Sequence, residues 1–120
     1  MRRRMLKSKI HRATVTAADV DYEGSISLDP VLMARADILE WEQVAVLDLD
    51  NGARLETYAI AGEPGEVKLN GAAALLVSPG HRVIILTYAD VEEAELAGYR
   101  PTIVLVDERN RPRDPVHAGH

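Results

Sequence analysis

The residues Tyr22-Glu23-Gly24-Ser25 place a serine hydroxyl directly after a glycine carbonyl, just past a short basic segment. Such a pair can cut its own chain. Ser25 Oγ attacks the Gly24 carbonyl carbon, and the amide shifts to an ester. β-Elimination then frees a chain ending at Gly24 and leaves dehydroalanine at position 25. Tautomerisation of that residue to an imine and its hydrolysis, which takes up one water and releases ammonia, leave a ketone, a pyruvoyl group attached through the backbone. A tetrahedral oxyanion forms on the way and needs hydrogen-bond donors. Gly24 lacks a Cβ, so its backbone is expected to take a strained conformation that exposes the carbonyl carbon. The ketone can form a Schiff base with an amine and withdraw electrons, a role usually filled by a bound cofactor. A lone Gly-Ser pair is ordinarily just a turn, so the rest of the chain must supply matching parts.

Short elements must position that turn. Residues 5–16 read as a strand, with Lys9, His11 and Ala13 on one face and Ile10, Arg12 and Thr14 on the other. Ile26-Ser27-Leu28 leaves the turn as a short strand. Asp29-Pro30 is a helix start, with Asp29 as N-cap and Pro30 in the first helical position, and the helix runs to Ala36. Residues 44–49 and 54–60 alternate on either side of Asn51-Gly52, a strong hairpin signal. Residues 67–69, 83–88 and 102–106 are further strands, and 92–97 holds one or two helical turns. Many short strands with few short helices predict a mainly β domain, a small closed barrel. The domain is expected over 1–108, with 109–120 a flexible, frayed tail.

Composition narrows the classes. The 120 residues suit one domain, and apolar residues make up 47 % of them. There is no Phe and no Cys, so the core must be aliphatic, and disulfides and thiolate metal sites are excluded. His11, His81, His117 and His120 lack ligand spacing, so no metal site is expected. No apolar run approaches the roughly 20 residues of a membrane span, and the N-terminus lacks a secretory apolar stretch. The expectation is therefore a cytoplasmic protein with no membrane partner. Residues 1–12 carry six of the 14 basic groups and no acid, while the overall charge is −5. That arm could contact nucleic acid or anionic lipid. The simpler reading is an arm folded on its own acidic body, and the acidic balance argues against a nucleic-acid partner.

Taken together, Lys9-Ile10-His11-Arg12, Tyr22-Glu23-Gly24-Ser25, Asn51-Gly52-x-Arg54-x-x-Thr57-Tyr58-Ala59-Ile60 and Asn70-Gly71-Ala72-Ala73-Ala74 stand in one order. In that order and near that spacing they resemble the pyruvoyl-dependent aspartate 1-decarboxylases, over roughly residues 1–105. The resemblance implies a double-psi β-barrel, a homotetramer, and conversion of L-aspartate to β-alanine and CO2 for pantothenate synthesis. It also implies self-cleavage at Gly24-Ser25, into 1–24 and 25–120, with the cofactor a pyruvoyl group derived from Ser25. In some relatives a maturation factor assists that cleavage. By the same resemblance, Thr57 and Asn70 hold the geometry of cleavage, and Tyr58 returns a proton to the α-carbon. Arg54 and Lys9 are the cations for substrate carboxylates, and the residues do not choose between them. Backbone N–H groups of Gly71, Ala72 and Ala73 can approach substrate oxygens, and His11 and Tyr22 are supporting residues. The chain departs from the pattern at Ile26, where relatives often carry Cys, at Leu47, where some carry Trp, and in a shorter loop at Pro64.

Two other classes compete. One is a non-enzymatic barrel that keeps the fold and not the cut. The other is a nucleic-acid or lipid contact through Arg2-Arg3-Arg4. Ser25 separates them, because only the enzyme needs its hydroxyl. A triad of Ser25, His81 and Asp90 has nothing in the sequence to fix its geometry. Trp41 reads as a core or subunit-contact residue.

Overall fold

The computed structural model describes residues 1–113. Among these, nine strands follow in order: β1 (Arg2–Thr14), β2 (Ala17–Asp19), β3 (Ser25–Leu28), β4 (Gln43–Asp48), β5 (Arg54–Ala61), β6 (Val67–Asn70), β7 (Arg82–Glu92), β8 (Thr102–Val106) and β9 (Pro112–Arg113). One helix, α1 (Pro30–Arg35), and two 3₁₀ turns, Gly71–Leu75 and Glu93–Glu95, complete the described elements. The class is mainly β with short helices, as expected. The strands hydrogen-bond in the order β2-β6-β3-β5-β4-β7-β1-β8-β9, an open ladder in which β3 runs antiparallel to β6 and parallel to β5. Such crossed pairings fit the double-psi barrel.

The core is aliphatic, as the lack of Phe requires. Ile10, Ile26, Leu28, Leu32, Leu69, Val83 and Ile85 are among its fully buried members. All four residues of β3 are buried, so Ser25 and Ser27 lie inside the molecule with Ile26 and Leu28.

Local signals account for the element ends. Asp29 caps α1 by accepting from the Val31 N–H (2.8 Å), with Pro30 in the first turn. Its other oxygen accepts from the Gly65 N–H (2.8 Å), which ties the helix start to the turn before β6. The β4–β5 hairpin closes at Asn51-Gly52 with Gly52 at φ +76°, a conformation that glycine adopts freely. Asp48, 3 % exposed, organises that turn by accepting from the Asp50 N–H (2.8 Å) and the Asn51 N–H (3.3 Å).

Three sequence expectations are corrected. Strict alternation in β1 fails after Ile10, because a bulge shifts the register between Ile10 and Ala13 and buries both. Arg12 sits in that bulge at φ +68°. β7 runs to Glu92, four residues beyond the expected end, because it continues along β1 to Arg2. Residues 109–113 are not frayed: β9 pairs with β8, and Asn110 is buried. The rest of the expected tail lies outside the described residues, as do His117 and His120. The basic arm pairs with its own chain: Arg2, Arg3 and Arg4 face Glu92, Glu93 and Asp90 at 3.5, 2.6 and 3.5 Å.

Candidate active site

β3 begins at Ser25, and its antiparallel register with β6 sets Ser25 opposite Asn70. The Asn70 amide donates from Nδ2 to Ser25 Oγ (2.9 Å) and to Ser27 Oγ (3.0 Å). Ser25 Oγ in turn donates to the Glu23 carbonyl (3.1 Å). Ser25 is 1 % exposed and Asn70 0 %, so the hydroxyl is held by these partners and shielded from bulk water. Ser27 is a site residue that motif reading missed. The signal was present, since i and i+2 on a strand share a face and so reach one amide. Asn70 Oδ1 is buried and accepts no hydrogen bond from a described residue. A buried acceptor left without a donor costs about 1–3 kcal/mol.

Gly71 explains how the cleavage turn is shaped. It lies at φ +66°, and a Cβ built on it would stand 2.6 Å from Gly24 Cα, 2.7 Å from Gly24 N and 3.1 Å from the Tyr22 carbonyl oxygen. The backbones of Gly71 and Gly24 are thus in direct contact, which only glycine at 71 allows. The strain expected at Gly24 is absent: its φ is not left-handed, and a Cβ there would meet nothing within 4 Å. The special conformation belongs to the neighbour that packs on the turn. Tyr22 is fixed by the same strand, with the Lys68 ammonium 4.9 Å from its ring centroid and 3.9 Å from Asp19.

β5 flanks the other side of β3 in parallel, with Ile26 beside Ala59. The parallel ladder begins at that pair, and Tyr58 and Thr57 come one and two residues before Ala59 as Ser25 and Gly24 come before Ile26. Tyr58 and Thr57 are half-buried. The Tyr58 ring stacks on Trp41 with centroids 5.5 Å apart. Trp41 is 70 % exposed, so it is not a core residue. Ala72 and Ala73 follow Gly71 in its 3₁₀ turn, close to the same place.

The predicted cations stand apart. Arg54 opens β5, four residues before Tyr58, or about 13 Å along an extended strand. Lys9 and His11 are on β1, with β5, β4 and β7 lying between it and β3. One protomer therefore gathers Tyr22, Gly24, Ser25, Asn70 and Gly71, with Thr57 and Tyr58 on the neighbouring strand, while Lys9 and His11 belong to a strand that is not hydrogen-bonded to β3.

The triad does not form. His81 Nδ1 lies 2.6 Å from Asp48 Oδ2, and Asp90 pairs with Arg4. His81, Asp48 and Asp50 do come within ligand distance of one another, which spacing alone did not reveal. Their oxygens are already engaged: Asp48 by His81 and two backbone N–H groups, Asp50 by the Arg82 N–H (2.7 Å). Burial opposes ionisation of Asp48, but the His81 hydrogen bond and the Asp50 and Asn51 N–H groups outweigh it and hold the carboxyl below its ordinary range.

The chain is similar to characterised proteins over nearly all its length. A family model described as aspartate decarboxylase matches residues 1–113. An aspartate 1-decarboxylase of Myxococcus xanthus (strain DK1622) is 58 % identical over 113 residues, which span 92 % of this chain and 87 % of that one.

Proposed function

The chain belongs to the aspartate decarboxylase family, which converts L-aspartate to β-alanine and CO2, and on that premise we propose that Gly24-Ser25 is its self-cleavage bond and Ser25 the source of a pyruvoyl cofactor. The observation that carries this reading is the clamp on Ser25: one buried amide on its Oγ, with Gly71 pressed against Gly24. The residues present fit such a group. Position 25 is enclosed, the neighbouring glycine leaves room that a Cβ would fill, and Asn70 offers both a donor and an unused acceptor.

In the precursor, the Glu23 carbonyl takes the Ser25 hydroxyl hydrogen bond, which turns an oxygen lone pair away from that carbonyl. Thr57, on the strand beside β3, is the candidate donor to the oxyanion that develops on the Gly24 carbonyl. Asn70 keeps Oγ in place while the amide becomes an ester. Once formed, the pyruvoyl group supplies the electron sink for decarboxylation. The other tasks fall to side chains. Tyr58, on the same strand as Thr57, is the candidate to deliver a proton to the substrate α-carbon. Arg54 or Lys9 holds the β-carboxylate, since a cation on the departing α-carboxylate would stabilise the ground state and slow its loss. The N–H groups of Gly71, Ala72 and Ala73 are candidate donors to substrate oxygens, with Tyr22 and His11 in support.

Lys9 lies on a strand that is not paired with β3, which is compatible with a site shared between subunits of a homotetramer, as the family likeness suggests. Exposed apolar residues flank the clamp on both sides: Trp41 against Tyr58, and Leu75, 74 % exposed, at the end of the Gly71 turn. Large exposed apolar groups beside such a site are what a subunit contact would cover. The family likeness supports a place in pantothenate synthesis, and it is the basis for proposing assisted maturation and a cytoplasmic setting. No described helix is long and apolar enough to cross a membrane.

The test is an intact mass spectrum under denaturing conditions. Cleavage divides the 120 residues after residue 24, and the larger piece should weigh about 17 Da less than a serine-ended fragment, the loss of ammonia. Ser25→Ala should remain one uncut, inactive chain. A cut and active Ser25→Ala protein would overturn the reading. A single uncut mass for the native chain, unchanged by prolonged warming or a maturation factor, would favour the non-enzymatic barrel.

A further inference from the structure

Three of the chain's eleven arginines, Arg2, Arg3 and Arg4, have an acid partner across the sheet among the described residues. Five others, Arg12, Arg82, Arg109, Arg111 and Arg113, line one cavity of about 480 Å³ formed by β1, the start of β7 and the β8–β9 turn. Among the described residues none of these five makes an ion pair with a carboxylate. The cavity contains two acids, Asp107 and Glu108, against five guanidinium groups. Asp107 is already committed to its own turn, since its Oδ1 accepts from the Arg109 N–H (2.8 Å) and the Arg111 N–H (3.0 Å). In a chain of net charge −5, the described lining carries a local excess of positive charge, five guanidinium groups against two carboxylates.

The backbone holds the cluster in place. Arg12 occupies the β1 bulge at φ +68°, a conformation rare for a residue with a long side chain. Bulges re-aim side chains, and backbone strain of this kind gathers at ligand sites. The turn that carries Arg109 and Arg111 is pinned by Asn110, 1 % exposed and at φ +62°. Asn110 Nδ2 donates to the carbonyls of Thr14 (2.8 Å) and Gly65 (3.0 Å), and its Oδ1 accepts from the Thr14 N–H (2.7 Å). All five arginines are exposed to solvent, and the bulge and the buried Asn110 fix the backbone that carries Arg12, Arg109 and Arg111.

We propose that this cavity binds a small oligophosphate through a pyrophosphate unit, either free or carried on a nucleotide. Guanidinium forks match phosphate oxygens two at a time, and five of them exceed what a single phosphate or carboxylate can engage. The volume falls in the range of small-molecule sites. None of Gly24, Ser25, Asn70 and Gly71 lines this cavity, although His11 does.

Isothermal titration calorimetry on the full chain, at a constant ionic strength of about 0.1 M, tests this with inorganic pyrophosphate as the probe. Saturable binding is expected, weakened at least about tenfold in Arg109→Ala/Arg111→Ala and unchanged in Arg2→Ala/Arg3→Ala. Arg109→Gln/Arg111→Gln, which keeps much of the side-chain stem, should show the same loss and serves if the alanine variant does not fold. ADP binding more tightly than pyrophosphate would identify a nucleotide as the source, and weaker ADP binding would identify the free anion. The proposal is overturned by the absence of saturable binding to the native chain, or by equal affinity in both arginine pairs. Displacement of pyrophosphate by L-aspartate at equal concentration would overturn it too, as would tighter binding of a single-stranded oligonucleotide.

Discussion

At the scale of single residues, chemistry is set by what lies against Gly24 and Ser25. Gly71→Ala adds a methyl group where only 2.6 Å separates it from Gly24 Cα, and it also places a Cβ on a left-handed backbone. The conformational cost alone is about 1–2 kcal/mol. We expect a folded chain whose Gly24-Ser25 bond stays uncut or is cut far more slowly, read by mass against time. Cleavage at the native rate would remove the Gly71 contact from the process. Tyr58→Phe keeps the ring against Trp41 and drops the proton. It should still mature, with kcat reduced about 100-fold or more if Tyr58 is the proton donor. Native turnover would end that assignment.

At the scale of elements, the β4–β5 hairpin shows how a local turn is stabilised. Its buried Asp48 accepts from His81 and from two N–H groups of the turn. Asp48→Asn removes the charge and is expected to lower stability by about 1–3 kcal/mol at neutral pH, measured by denaturant unfolding. The sign of its pH dependence follows from the lowered native value. Asp48 contributes fully above its unfolded value, near 3.8, and the contribution is lost as pH falls through the lower folded value. The gap between native and Asp48→Asn proteins should therefore be full at pH 7 and shrink in acid. A gap independent of pH would mean that the charge does not matter there. The bulge in β1 shows the limit of pattern reading at this scale. Ile10 and Ala13 cannot both face the core in a regular strand, and the extra residue that resolves the conflict has no signature in the sequence.

At the scale of the whole molecule, Lys9 belongs to a strand that is not paired with the one carrying Ser25, and the proposed site would draw on more than one subunit. A shared site can be tested by co-expressing two inactive variants. Lys9→Ala should mature and lack a substrate cation, while Ser25→Ala stays uncut and keeps Lys9. If subunits share sites, random mixing should restore activity, up to about a quarter of the native level, because only mixed neighbours complete a site. No recovery in purified mixed oligomers would place Lys9 and Ser25 of the same chain in one site, or remove Lys9 from it.

The sequence by itself determined the parts. Gly-Ser after a basic strand, Asp29-Pro30 before a helix and Asn51-Gly52 between alternating runs are local signals, because capping, turn and cleavage chemistry depend on neighbours along the chain. The mainly β class followed from the same local patterns. Tertiary structure decided which distant residues meet. Ser25 and Asn70 are 45 positions apart and touch only because β3 pairs with β6 in one register. The strain expected at Gly24 appears at Gly71 for the same reason: two backbones in contact need one chain without a side chain, and contact is a property of packing. The gathering of five arginines around one cavity depends on a bulge, a buried asparagine and a turn between two strands. No spacing in the sequence encodes that, because the charges come from three separate stretches of the chain that only folding brings together.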